Sequence, residues 1–136
     1  QFTPTIGFGF NGGADWIQLR SYLIRGLNPA RAANKSSTTA MDASWTHYFA
    51  PSSAFVPAMI SLGASMGDKI YAIDMAAKSV SNLADLGKGS ATIGLGWNVA
   101  DNTKLFVLVG QTRFKDVTLN NNYKLIMSYA NLTVNW

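Results

Sequence analysis

Cysteine and glutamate are both missing from this chain, and histidine occurs once. Without cysteine there is no disulfide scaffold, no thiol nucleophile and no thiolate metal site. Glutamate is a favoured surface former of helices, so its absence argues against a helical bundle. Charged residues make up only 13% of the chain, about half the share usual in a soluble domain. Hydrophobic residues reach 48%, which excludes disorder. A membrane-spanning helix is also lacking. The longest stretch without a formal charge, Ala43–Gly67, has the length for one, but His47, Pro51, Ser52, Ser53 and Pro57 interrupt it, and an internal proline costs a helix about 3 kcal/mol. No basic region followed by an apolar run stands at the start, so the chain opening at Gln1 is expected to be a mature one from which any signal has been removed.

What is present fits one domain over residues 1–136. The net charge is +4 and the pI about 9.5. The basic residues are scattered, not clustered, which makes nucleic acid an unfavoured partner and leaves lipid phosphate as the more natural one.

The clearest pattern is alternation. Ile126, Ser128, Ala130, Leu132, Val134 and Trp136 fall on one face of a strand, and Met127, Tyr129, Asn131, Thr133 and Asn135 on the other. Ala91, Ile93, Leu95, Trp97 and Val99 alternate with Thr92, Gly94, Gly96 and Asn98, as Ile6, Phe8 and Phe10 do with Thr5, Gly7 and Gly9. Turn signals separate the runs: Asn11-Gly12-Gly13, Pro51-Ser52-Ser53, Gly67-Asp68, Asp101-Asn102 and Asn120-Asn121-Asn122. The expected strands number about eight, among them Thr38–Phe49, Ala54–Ser65 and Lys69–Ala77. Eight strands of about ten residues use roughly 80 positions, which a small closed barrel can accommodate.

Alternating strands, an Asp-Asn turn, and a last strand that is apolar at every second position back from the terminal aromatic Trp136 resemble the small eight-stranded bacterial outer-membrane barrel proteins. The resemblance is best over residues 90–136. It implies an all-β antiparallel up-and-down barrel located in the bacterial outer membrane, with Leu132, Val134 and Trp136 as the signal read by the insertion machinery. Membrane lipid or lipopolysaccharide would be its partner, with a homo-oligomer as a further option.

Two features pull against eight strands. Asp68–Gly87 also reads as a helix, with Ile70, Ile73, Ala77, Val80 and Ala84 at three-four spacing; a short helix is placed within 68–87, near Val80–Leu86. Thr5-Ile-Gly-Phe-Gly-Phe-Asn11 is echoed by Thr92-Ile-Gly-Leu-Gly-Trp-Asn98. If both copies run in one direction, an odd number of strands separates them, which favours seven, whereas bacterial barrels prefer even counts. The eight-strand count is retained.

Residues able to carry chemistry are few. His47 is the weak catalytic candidate, with Ser44 or Ser128 as nucleophile, but Ser44 and Asp42 point away from the face shared by Ala43, Trp45, His47 and Phe49. Trp45, His47 and Phe49 read more naturally as interfacial rings, together with Trp16, Trp97 and Trp136. In a membrane barrel such aromatics gather at two heights about 25 Å apart. The seven aspartates show no calcium-loop spacing, so no metal is expected, and Gly7-Phe8-Gly9 and Gly94-Leu95-Gly96 lack the third glycine of a phosphate loop, so no cofactor is expected. Asn34-Lys35-Ser36 and Asn131-Leu132-Thr133 are chance matches to a glycosylation acceptor. Gln18, Arg20, Asp42, Asp74, Gln111, Arg113, Tyr129, Asn131 and Asn135 are expected to face the barrel interior and fill it as a hydrogen-bonded network. Arg25, Arg31 and Lys35 form one modest basic loop.

Three functions follow. The first is a small outer-membrane barrel with a filled interior and a structural, adhesion or lipid-contact role. The second is a secreted or virion-type β-rich subunit that self-assembles through its apolar faces. The third is a barrel enzyme acting on lipid through His47.

Overall fold

The computed structural model describes residues 2–25, 36–51, 53–74 and 79–135, and their side chains outside 71–74 and 79–84. Seven strands run through them: β1 (Thr5–Phe10), β2 (Asp15–Arg25), β3 (Ser37–Tyr48), β4 (Met59–Asp74), β5 (Ser79–Ala100), β6 (Thr103–Lys115) and β7 (Asn122–Val134). They form one sheet in the order of the chain, each pairing antiparallel. The all-β antiparallel class is as expected.

Among the described residues there is no eighth strand, because two expected strands are one. Gly67-Asp68 is not a turn: β4 continues through it from Met59 to Asp74. At Gly67 φ is +95°, and the backbones of β3 and β4 approach so closely that a Cβ there would lie 2.4 Å from the Thr39 carbonyl oxygen. The ladder shifts register beyond this point, between Met66 and Lys69 and again between Lys69 and Tyr71. The expected helix is also absent from the described residues, since 68–74 and 79–87 are strand. Register shifts interrupt the period of two, and the broken period mimics a three-four spacing. Residues 75–78, and Arg31 and Lys35 of the basic loop, lie outside the described residues.

Directly opposed residues of antiparallel strands share a face, so the ladders can be read as rows across the sheet. One row runs Phe8, Ile17, Trp45, Leu62, Ile93, Val109 and Ser128. The adjoining row on the opposite face runs Gly7, Gln18, Ser44, Gly63, Thr92, Gly110 and Met127. The sheet therefore has an apolar face and a face of polar and small residues. The latter gives way to apolar side chains near its last edge, at Phe106, Leu108, Leu125 and Met127.

Exposure is the reverse of what water would select. On the apolar face Ile6, Leu19, Met66 and Ile93 are exposed, Ile6 by 70%. Tyr22, Ile24, Thr38 and Ala40, which lie on the other face, are at most 5% exposed. Only five apolar residues are buried among those described, Ile70 and Leu86 joining Tyr22, Ile24 and Ala40 in one cluster. The accessible surface of 9214 Å² exceeds the roughly 6,900 Å² expected of a compact monomer of this mass.

The internal echo has a structural counterpart. β1 and β5 run in the same direction with three strands between them, and the two Gly-x-Gly segments hold equivalent places. The strand after each lays an aromatic ring over the glycines: Trp16 over Gly7 and Gly9, Phe106 over Gly94 and Gly96. A Cβ at Gly7 would come 2.3 Å from the Trp16 ring, and one at Gly94 2.6 Å from Phe106.

Gly67→Ala combines a left-handed φ with backbone contact and is expected to destabilise by about 2 kcal/mol or more. Gly12→Ala, at φ +65° with open space around it, should cost less, and urea unfolding of both variants measures the contribution of the close β3–β4 approach.

Candidate functional site

Two clusters of polar side chains stand out, one on each face. On the polar face, Asp42 of β3 is the hub. The Tyr22 hydroxyl donates to its Oδ2 at 2.6 Å, and the Lys69 ammonium donates to its Oδ1. Lys69 Nζ also sits 4.3 Å from the centre of the Tyr22 ring, a cation–π contact. Arg20 Nε donates to Thr5 Oγ1 at 3.0 Å. Beside this group lies a cleft of about 220 Å³ lined by Gln18, Arg20, Asp42, Ser44, Ser65, Ser90 and Thr92. The Ser65 and Ser90 hydroxyls are 2.8 Å apart across β4 and β5. These bonds tie β1 to β2, and β2, β3 and β4 to one another. They satisfy their own members, as expected of side chains that fill space between strands.

Of the residues expected in an interior network, Gln18, Arg20, Asp42, Tyr129 and Asn131 share this face. Asn135 follows β7, and its backbone N–H donates to the Asn102 carbonyl at 2.9 Å. The side chain of Asp74 lies outside the described residues. Gln111 and Arg113 stand on the apolar face, in rows with Ala91 and Gly89. The cause is a change of character along β6: Phe106 and Leu108 occupy the polar face, whereas Val107, Val109, Gln111 and Arg113 share the other. Tyr22 and Lys69 were not anticipated. Tyr22 is two residues beyond Arg20 and could be found by extending the alternation. Lys69 could not, because the break at Gly67 hides its register.

The second cluster lies on the apolar face where β2 and β3 meet the first turn. Asp15, only 3% exposed, accepts from Asn11 Nδ2 at 2.5 Å and from Trp45 Nε1 at 2.9 Å. His47 Nδ1 lies 2.8 Å from Asp15 Oδ1. The His47 ring meets Phe49 edge-on at 4.4 Å and lies 6.0 Å from Trp45. A neighbouring strand thus supplies the carboxylate that the residues next to His47 in sequence could not. A histidine oriented by an aspartate is two-thirds of a nucleophilic triad. Among the described residues, however, His47 has no hydrogen bond to a hydroxyl. Ser44 is on the opposite face, and Ser128 is on β7, with β4, β5 and β6 between it and β3. The described residues also contain no group of three or more side chains able to hold a metal.

The tryptophans divide between the faces. Trp45 and Trp97 are on the apolar face near one end of the sheet, as are Phe8 and Phe10. Trp16 lies on the polar face over the glycines of β1. Leu132 and Val134 share a side of β7, paired with Leu105 and Thr103, and Trp136 lies outside the described residues.

Asp42→Ala removes the shared acceptor of Tyr22 and Lys69 and is expected to cost about 2 kcal/mol, with Asp42→Asn intermediate in urea unfolding. Asp15→Ala should lower the unfolding midpoint and change Trp45 emission, because the indole loses its acceptor, whereas Ser44→Ala should do neither. Comparison with protein-family models, curated proteins and solved structures finds no match to this chain.

Proposed function

We propose that this chain is a membrane-embedded β-sheet domain of the outer-membrane barrel kind, with a structural, adhesion or lipid-contact role. The observation that carries this reading is the inverted sheet. Side chains such as Ile6, Leu19, Leu62, Met66, Ile93 and Val109 are exposed on one face, while hydroxyls, amides and paired charges occupy the more sheltered one. Burying apolar area contributes about 25 cal/mol per Å², so such a face requires a cover. Hydrocarbon provides one without needing a complementary shape.

Dimensions support the same reading. Along β7 the apolar-face positions run from Val134 to Ile126 before Lys124 interrupts them, about 27 Å along the strand and about 20 Å of height at the roughly 40° tilt of barrel strands. Strands tilted in a bilayer carry an apolar band about 25 Å tall. Trp45 and Trp97, near the ends of β3 and β5, and Phe8 and Phe10, near the end of β1, lie toward the same ends of their strands, and amphipathic rings so placed favour a membrane interface. Leu132 and Val134, with Trp136, would then form the recognition end of the last strand. The partner on the apolar face is membrane lipid or lipopolysaccharide, and the location is the bacterial outer membrane.

A second reading is favoured by one observation. β1 and β7 are edges of the sheet. Six antiparallel pairings in succession make these two edge strands parallel to each other, so direct closure of seven strands would break the antiparallel order. An additional strand or another copy would supply the missing pairing. In a self-assembling subunit the apolar face would be covered by protein instead of lipid.

Single-tryptophan variants reconstituted in vesicles containing brominated acyl chains separate the two. Trp45 and Trp97 are expected to be strongly quenched and Trp16 weakly. Equal indifference of all three, with a chain that sediments as a regular particle without detergent, would favour the assembly subunit and remove the membrane reading.

A further inference from the structure

The apolar face carries a charged row that the alternation does not explain. Arg113 of β6 and Lys124 of β7 are directly opposed in the ladder, and the next position of that row toward β4 is Gly89. Two like charges facing each other across a strand pair are destabilising. Neither side chain forms an ion pair or a side-chain hydrogen bond among the described residues. A third cation joins them. The register shifts between Gly87 and Gly89, which pair with Phe114 and Arg113, and Lys88 is the extra residue of this bulge. Bulges re-aim side chains, and here the bulge brings Lys88 to line the same clefts as Arg113. One of about 360 Å³ is also bordered by Lys124 and Tyr123, and another of about 200 Å³ by Gln111. Asp68 pairs with Lys88 at 2.7 Å. Asp85, which keeps its charge while accepting the Tyr123 hydroxyl at 2.6 Å, and Asp116 both act on Tyr123 at the border of the cleft, but among the described residues neither pairs with Arg113 or Lys124.

From this juxtaposition we infer that Arg113 and Lys124, assisted by Lys88, bind a phosphate group that serves as the missing counter-ion between them. A guanidinium fork presents two parallel N–H donors to phosphate oxygens, and the lysine ammoniums add point charges. The position gives the site its meaning. Along the ladder the cations stand four residues from the Trp45 row and eight from the Trp97 row, just beyond Ile126, the last apolar position of β7 on this face, where a lipid phosphate would lie. Lipid as the source of the phosphate rests on the membrane reading, whereas binding of a phosphate oxyanion rests on the unpaired cations alone.

The test uses the full chain folded in uncharged maltoside micelles and titrated with inorganic phosphate at constant ionic strength. In a second arm the chain is placed in phosphatidylcholine vesicles with and without phosphatidylglycerol. Both arms compare the native chain with R113Q/K124Q, and with K104Q at the opposite end of the sheet as a control. Phosphate or phosphatidylglycerol is expected to raise the unfolding temperature of the native chain and of K104Q. The double variant should bind at least about tenfold more weakly, and without ligand it should be no less stable than the native chain, because its repulsion is gone. An effect of phosphatidylglycerol alone identifies a lipid headgroup as the source, and an effect of free phosphate alone identifies a soluble one. Retention of binding by the double variant, no effect in either arm, or a double variant destabilised without ligand overturns the site. A chain that needs no lipid yet binds phosphate through Arg113 and Lys124 would keep the site and remove the membrane reading; brominated-lipid quenching without any phosphate effect would do the reverse.

Discussion

Backbone hydrogen bonding between strands holds this molecule together, and side-chain burial contributes far less than in an ordinary domain. A single sheet has two faces and, without a second layer, cannot shelter both. Here the polar face is the sheltered one. Tyr22, Asp42 and Lys69 cross-brace three strands, while Leu19, Leu62 and Ile93 remain outside. The rest of the structure follows from that inversion. Polar side chains near one another must satisfy each other, and apolar ones must find a cover that the described residues do not provide.

Small residues make the sheltered face possible. Gly7, Gly63, Gly94 and Gly110 lie on it, and the side chains above them, Trp16, Thr92 and Phe106, occupy the space that a Cβ would need. An aromatic ring over a Gly-x-Gly strand occurs twice, on β1–β2 and on β5–β6. The echo in sequence is therefore a repeated packing solution at two places in one sheet. The reason is steric: a bulky ring laid along a strand needs neighbours without side chains.

Charge is distributed by the same logic. On the polar face Asp42 is matched by Lys69, and in the border cluster Asp15 is surrounded by donors. Toward the other end of the apolar face Arg113 and Lys124 face each other, and among the described residues neither pairs with an acid. A sheet that satisfies its polar groups elsewhere and leaves one like-charge pair in register has a place for an external anion.

Legible in the chain alone were the all-β class, the alternation of β7 and β5, and the common side of Gln18 and Arg20 within β2, because a period of two is a local property of a strand. The sequence also contained the clue to seven strands, in the like direction of the Gly-x-Gly segments. The tertiary structure alone decided that Gly67 is a close approach and not a turn, since the contact that demands glycine comes from Thr39 and Ala40 on another strand. It likewise decided that Asp15 reaches His47, that Gln111 and Arg113 leave the polar face, and that Lys88 joins Arg113. Each depends on register between strands or on a bulge, and register is fixed by pairing partners distant in the chain.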